Sequence, residues 1–117
     1  MTTQELAARL GEDGLLVVDV RTAAEYSGEL RAPCDPRHGR IPGARNLDLQ
    51  ELMRLDLDGV RAAVGREEGA EVIAYCHSGS RSAMAVQVLR AAGYDARNYA
   101  GSWHEWSRDP SLPAETG

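Results

Sequence analysis

One cysteine of the chain stands where a thiol could act as a nucleophile. Cys76 follows an apolar segment that predicts a strand, Glu71 to Tyr75, and precedes a segment that predicts a helix, Ser82 to Ala92. The first turn of a helix leaves backbone N–H groups unpaired and carries roughly half a unit of positive charge. A thiolate facing those groups is stabilised, so we expect the pKa of Cys76 to lie below the value of roughly 8.5 for a free thiol.

The residues after Cys76 have the composition of an anion-binding loop. They are His77, Ser78, Gly79, Ser80, Arg81 and Ser82. Gly79 can adopt the positive φ that a tight loop requires, and the amides around it can converge on one negative charge. Arg81 either adds a positive charge or braces the loop carbonyls. His77 is a weaker candidate for a general base, because a side chain next in sequence often points elsewhere.

Helices and strands alternate along the rest of the chain. Thr2 to Leu10 predicts a helix that starts with a capping box and ends at Gly11. The other predicted elements are a strand from Leu15 to Val18, a helix capped by Thr22 and Glu25, a surface loop from Ser27 to Gly43, a strand from Ala44 to Leu47, a helix capped by Asp48 and Glu51, a helix from Asp58 to Val64, a strand from Arg97 to Tyr99 and a helix capped by Ser102 and Glu105. This order predicts one α/β domain over residues 1–117, with a central parallel sheet of four to five strands and helices on both faces. Ligands of such sheets bind beyond the carboxyl ends of the strands, where Cys76 lies.

Composition excludes several classes of function. The 117 residues carry a net charge of −5, and all thirteen basic residues are arginine. An acidic domain is a poor match for nucleic acid, and the absence of a long apolar run argues against a membrane span. The first ten residues lack the pattern of a secretion signal, so we expect a cytoplasmic protein with free thiols at Cys34 and Cys76.

Several segments together resemble the rhodanese-type sulfurtransferases. The loop from Cys76 to Ser82 is similar to the active-site loop of that family. The other matching segments are Val18 to Arg21, Glu25 to Gly28, Gly39 to Ala44 and Tyr99 to Trp106, the last of which resembles the closing motif of the catalytic half of two-domain thiosulfate sulfurtransferases. Because these motifs occur in the family's order along nearly the whole chain, the resemblance is specific.

The resemblance implies an enzyme that works through a persulfide. Cys76 would take a sulfane sulfur from a donor such as thiosulfate and pass it to cyanide or a thiol, without a cofactor or a metal. The amides from His77 to Ser82 would hold the outer sulfur. His77 stands where relatives often carry arginine, which would weaken the attraction for thiosulfate. If two-domain relatives use the seam between their domains as a wall, either the site would be more open here or a second copy of this chain would supply the wall. A sulfur-relay protein is a further candidate partner.

Other side chains are candidates for lining the pocket. Asp19 and Arg21 end the first strand, where they either face the site or brace nearby loops, with Arg21 meeting Glu25. Arg40 is a candidate donor-binding group, as is Arg45. Trp103 is expected to pack in the core with Trp106, and a pocket wall is its alternative role.

The second cysteine and the histidines offer further chemistry. Cys34 could resolve a persulfide on Cys76 or accept its sulfur, but an incidental surface thiol is the favoured interpretation. The side chains that could bind zinc are those of Cys34, His38, Cys76, His77 and His104. Their spacing along the chain fits no zinc motif, so the sequence predicts no metal.

Two other classes of function use the same fold. A rhodanese-fold phosphatase or arsenate reductase would also carry a loop cysteine and arginine, but four residues separate Cys76 from Arg81 where the phosphatase pattern has five. The shorter loop suits one sulfur atom better than a phosphoryl group. A non-catalytic binding module would be expected to have lost the cysteine.

Overall fold

A computed structural model describes residues 1–30 and 33–117. Its strands are β1 (Leu15–Asp19), β2 (Arg45–Asn46), β3 (Glu71–Tyr75) and β4 (Asp95–Asn98). Its helices are α1 (Thr3–Arg9), α2 (Ala23–Ser27), α3 (Leu49–Leu52), α4 (Leu57–Val64), α5 (Ser80–Ala91) and α6 (Ser102–Trp106). Within the described residues, no helix is long and apolar enough to cross a bilayer.

The four strands form one parallel sheet in the order β2-β1-β3-β4. β1 and β3 lie side by side in the middle, with Leu15 opposite Glu71 and Asp19 opposite Tyr75. Both central strands are buried along most of their length, as expected for parallel strands that helices cover on both faces. The predicted α/β architecture is confirmed, with four strands.

Successive side chains of the central strands point to opposite faces of the sheet, so the interior consists of two hydrophobic cores, one on each face. Val72 and Ala74 of β3 face one core with the buried residues of α3, α4 and α5. Ile73 and Tyr75 face the other, which holds Leu6 of α1 and the tryptophans of α6. The sheet is therefore covered on both faces, and the carboxyl ends of β1 and β3 meet at one edge.

Local capping signals place the first two helices as predicted. Thr2 and Glu5 form a capping box at α1, and Thr22 and Glu25 form another at α2. In α3 the Asp48 carboxylate accepts from an amide of the first turn, whereas no reciprocal bond from Glu51 is part of that cap.

Several predicted boundaries are wrong; β2, for example, spans Arg45–Asn46 rather than Ala44 to Leu47. α5 begins at Ser80 rather than Ser82, directly after Gly79. β4 spans Asp95–Asn98 rather than Arg97 to Tyr99, because the tyrosine already belongs to the turn into α6. Ser102 is the first residue of α6 and does not cap it, since its hydroxyl donates to the Tyr99 carbonyl instead.

The predicted surface loop from Ser27 to Gly43 is irregular but partly internal, and its residues 31 and 32 lie outside the described part. Asp35 and Ile41 are buried. The Arg37 guanidinium donates to the carbonyls of Trp106, Ser107, Asp109 and Leu112. This loop is therefore fastened to the end of α6 and the tail that follows it.

Candidate active site

The Cys76 thiol lies in a cradle of hydrogen-bond donors at the start of α5. The Gly79 amide donates to Cys76 Sγ at 3.0 Å. Ser82 Oγ lies 3.3 Å from the same sulfur and 3.2 Å from the Gly79 carbonyl oxygen. The Ser82 hydroxyl has one proton, which it can donate either to Cys76 Sγ or to the Gly79 carbonyl oxygen. When Cys76 is a thiolate, the sulfur is the stronger acceptor because it is charged.

These donors outweigh the cost of burial. Cys76 is 1% exposed, and burial by itself raises the pKa of a thiol because it disfavours the charged form. The Ser82 hydroxyl and the amides of Ser82, Gly79 and Ser78 act in the opposite direction and bring the pKa of Cys76 below its ordinary value. The surroundings of Cys76 therefore favour the thiolate, which is the nucleophilic form of a cysteine.

Gly79 is required at its position for two independent reasons. Its φ is +100°, in the region that residues with a Cβ rarely adopt. A Cβ there would also lie 2.7 Å from the Ala100 carbonyl oxygen. The Gly79 carbonyl accepts a bond from the Asn98 side-chain amide at 3.2 Å, so the turn is held from the end of β4.

Arg81 points to α2. Its guanidinium donates to both carboxylate oxygens of Glu25, at 2.9 and 3.1 Å. Burial raises the pKa of Glu25, but bonds from Arg81 and the Thr22 amide and the charge of Arg21 outweigh burial and lower that pKa to about 2. The predicted bracing of the loop carbonyls by Arg81 is wrong in its partner: the guanidinium binds the Glu25 carboxylate and ties the first turn of α5 to α2.

Ser102 supports the loop from the α6 side. Its hydroxyl accepts from the Cys76 amide at 3.1 Å. The carbonyls of Cys76 and His77 accept from the amides of Trp103 and His104, at 2.9 and 2.8 Å. The backbone on either side of the nucleophile is thus fixed by the turn into α6.

Asp19 and Arg21 form a buried pair with each other. Arg21 donates through Nε and Nη2 to the Asp19 carboxylate and through Nη2 to the Gly39 carbonyl at 2.6 Å. Its guanidinium lies over the rings of Tyr75 and Trp103, 5.7 and 5.3 Å from the ring centroids. The pair braces the turn at Gly39. The expected contact of Arg21 with Glu25 is wrong, because that carboxylate is taken by Arg81.

The remaining candidates for the pocket wall make structural contacts. Arg40 lies over the Tyr26 ring, 4.3 Å from its centroid, and donates to the Gly117 carbonyl. Arg45 donates to the carbonyls at the end of α4. Trp103 is fully buried and donates from Nε1 to the Arg37 carbonyl, so its predicted core role is confirmed.

The histidine next to the nucleophile has an acidic partner that the sequence analysis missed. His77 Nε2 lies 3.0 Å from Asp35 Oδ1. Candidate ligand atoms of Cys34, Asp35, His77 and His104 all lie within 4.8 Å of one another. Three residues of the zinc set considered in the sequence analysis, Cys34, His77 and His104, therefore lie close together although their spacing along the chain fits no zinc motif, because the fold joins segments that are distant along the chain. His38 and Cys76 are not members of this cluster.

Comparisons with a family model and with known sequences indicate the same family. The family described as "Rhodanese-like domain" matches residues 2–109. The chain is 33% identical over 119 residues to "Putative thiosulfate sulfurtransferase SseB" of Mycobacterium tuberculosis, covering 95% of this chain and 42% of that protein. It is 36% identical to "Probable 3-mercaptopyruvate sulfurtransferase" of Pseudomonas aeruginosa, covering 96% of this chain and 43% of that protein.

Solved structures agree with the sequence relatives. A crystal structure named "Probable Thiosulfate Sulfurtransferase" superposes with a TM-score of 0.84 at 43% identity, covering 98% of this chain and 46% of the other. An anaerobic ergothioneine biosynthesis enzyme from Chlorobium limicola shares the fold, with a TM-score of 0.88 at 21% identity over 99% of this chain and 27% of the other. The chain spans less than half the length of these relatives. It belongs to the family of rhodanese-like domains.

Proposed function

We propose that this protein is a sulfurtransferase that carries a sulfane sulfur as a persulfide on Cys76. The observation that carries the proposal is the cradle around Cys76 Sγ, into which the Gly79 amide and the Ser82 hydroxyl both point. Donors placed in advance around a sulfur stabilise negative charge there at no further cost of reorganisation. The same groups that favour the thiolate would favour the charged outer sulfur of a persulfide.

The reaction then has two displacements at sulfur. The Cys76 thiolate attacks the sulfane sulfur of thiosulfate, an S–S bond forms to Cys76, and the donor's own S–S bond breaks so that sulfite leaves with its electron pair. Cyanide or a thiolate next attacks the outer sulfur. The bond to Cys76 breaks, the acceptor leaves with the sulfur, and the Cys76 thiolate is restored.

The burial of the nucleophile is consistent with a small transferable group. With Cys76 1% exposed, the resting site has little room beside the sulfur. A single sulfur atom is a smaller addition than a tetrahedral phosphoryl group, and Arg81, which a phosphatase would direct to phosphate, is engaged by Glu25. The phosphatase alternative is therefore not favoured.

The donor is best sought among two classes of molecule. The relatives with thiosulfate sulfurtransferase in their names suggest thiosulfate, and the relative named for 3-mercaptopyruvate suggests an α-keto thiol. We propose thiosulfate as the donor. The loop side chain next to Cys76 is the imidazole of His77, which is hydrogen-bonded to Asp35, so the backbone amides and Ser82 would supply the attraction for the donor.

A stoichiometric assay tests this proposal. Enzyme is mixed with thiosulfate, released sulfite is measured, and cyanide is then added to convert bound sulfur to thiocyanate. We expect about one sulfite and one thiocyanate per chain, none from Cys76→Ser, and normal amounts from Cys34→Ser, the matched control at the exposed thiol. A parallel assay with 3-mercaptopyruvate, in which released pyruvate is measured, distinguishes the two donors. A second assay with an aryl phosphate tests the phosphatase alternative. Normal sulfur yield from Cys76→Ser, or turnover of the aryl phosphate alone, would refute the proposal.

A further inference from the structure

We propose that Cys34, Asp35, His77 and His104 form a binding site for a zinc-class divalent metal ion at the outer side of the loop that carries the nucleophile. The four side chains offer one sulfur, one carboxylate oxygen and two imidazole nitrogens, all within 4.8 Å of one another. Cys76 contributes no ligand, so this site does not depend on the sulfur chemistry proposed above.

The spacing is close to that of a tetrahedral zinc centre. With Zn–S of about 2.3 Å and Zn–N of about 2.0–2.1 Å, ligand atoms of such a centre lie about 3.3–3.8 Å apart. His77 Nε2 and Asp35 Oδ1 are 3.0 Å apart, slightly closer than this range, and Cys34 Sγ lies 3.9 Å from the same carboxylate oxygen, slightly beyond it. The other ligand atoms must move closer together, and this movement would be made by the side chains of Cys34 and His104, which are exposed and lie outside the core.

The backbone around the cluster is held in place before any metal binds. The Arg108 guanidinium donates to the carbonyls of Cys34 and His104, so it clamps the two exposed ligand segments together. The His104 amide donates to the His77 carbonyl at 2.8 Å. Asp35 is the buried member, 4% exposed. Binding would therefore order side chains on a backbone that is already set.

The donor types select the class of metal. A thiolate and imidazoles favour zinc and cobalt(II), whereas magnesium and calcium prefer sites built from oxygen ligands. Cys34 as a thiolate and Asp35 as a carboxylate bring two negative charges, which match a divalent ion. Arg108 Nη1, 3.5 Å from Asp35 Oδ1, places one positive charge nearby. We therefore expect binding weaker than that of a four-cysteine structural site.

The experiment uses the full chain with Cys76→Ser as background, which removes the other thiolate that could bind metal. Zinc is titrated calorimetrically, and cobalt(II) is titrated with absorption spectroscopy. We expect one ion per chain, tetrahedral ligand-field bands for cobalt(II), and a thiolate-to-cobalt charge-transfer band. Magnesium and calcium should not displace the ion.

Three further substitutions in that background assign the ligands. Cys34→Ser and His104→Ala should each weaken zinc binding by at least about tenfold, and Cys34→Ser should abolish the charge-transfer band. His38→Ala, an exposed histidine outside the cluster, is the matched control and should bind zinc like the background. Circular dichroism checks that each variant is folded, and the exposed positions make this the expected result.

The proposal fails if the background protein binds no zinc, or if Cys34→Ser and His104→Ala bind it as tightly as His38→Ala does. Displacement of zinc by equimolar magnesium or calcium would also contradict it. Because Cys76→Ser cannot transfer sulfur, these results stand apart from the proposed enzymatic function, and either proposal can fail without the other.

Discussion

Glu25 and Arg81, 56 positions apart in the chain, are joined by two hydrogen bonds of 2.9 and 3.1 Å between carboxylate and guanidinium. The pair links the first turn of α5, where the nucleophile's cradle is formed, to α2 at the neighbouring strand end. It is partly shielded, with the Glu25 side chain 18% exposed. A pair of this kind positions the loop and leaves the contact with sulfur to the amides and Ser82.

The first prediction concerns the pH dependence of stability. The pKa of Glu25 is about 2 in the folded protein against an ordinary 4.5, so its ionised form stabilises the fold. A lowered carboxyl pKa stabilises at pH values above 4.5, and that contribution is lost as the pH falls from 4.5 toward 2. Glu25→Gln should lower the free energy of unfolding at pH 7, and the difference from wild type should shrink over that range. Denaturant unfolding measured from pH 7 downward checks this, and a difference that stays constant with pH would contradict it.

The second prediction concerns the reactivity of the thiol. In a Cys34→Ser background only Cys76 can be alkylated, and its rate should rise with pH around a midpoint below the ordinary pKa of a thiol. Ser82→Ala removes the hydroxyl that helps to lower that pKa, so its midpoint should move upward. Ser80→Ala, at the first residue of α5, is the control because, among the described residues, the Ser80 hydroxyl makes no hydrogen bond to Cys76 Sγ. Identical midpoints for all three proteins would refute the role of Ser82.

The third prediction concerns the loop glycine. Gly79→Ala should cost about 1–2 kcal/mol for the left-handed backbone and more for the Cβ that would lie 2.7 Å from the Ala100 carbonyl oxygen. Gly69→Ala is the matched control, since its φ of +86° is also positive while nothing lies within 4 Å of the added Cβ. Chemical denaturation should give a larger loss for Gly79→Ala, together with slower alkylation of Cys76. Equal losses at the two sites would show that the contact with Ala100 is unimportant.

The fourth prediction concerns Ser102. Its hydroxyl bonds both the Cys76 amide and the Tyr99 carbonyl, and the residue is fully buried. Ser102→Ala leaves both groups without that partner, so we expect a loss of about 1–3 kcal/mol in the free energy of unfolding. Among the described residues Ser102 is the one non-glycine position with positive φ, +55°, so Ser102→Gly should recover part of the loss. A fully stable Ser102→Ala would show that the hydroxyl is dispensable.

Much of the fold follows from signals local in the sequence. The capping boxes at Thr2 and Thr22 depend on residues three positions apart, and after Glu71 the strand before Cys76 consists of apolar and aromatic residues only. The position of Cys76 at the start of α5 could be predicted for the same reason, since strand, cysteine, glycine and helix follow one another closely in the sequence. These features require no knowledge of which segments meet in space.

The groups that the sequence analysis missed or misplaced are long-range partners. Asp35 lies in an irregular loop and meets His77 42 positions later. Glu25 has its own helix to cap and also pairs with Arg81. The spacing of Ser102 and Glu105 is typical of a helix N-cap, but Ser102 lies next to Cys76 in the fold and its hydroxyl accepts from the Cys76 amide instead. Only the packing of α2, α5 and α6 around one sheet edge determines these contacts.

The measurement that tests the central claim most directly is peptide mass spectrometry after a brief incubation with thiosulfate. The claim is that the donors around Cys76 hold one extra sulfur at that residue. We expect the peptide containing Cys76 to gain the mass of one sulfur atom, to lose it on addition of cyanide, and to gain none in Cys76→Ser, while the Cys34 peptide stays unmodified. Extra sulfur found on Cys34 with the Cys76 peptide unchanged would contradict the account.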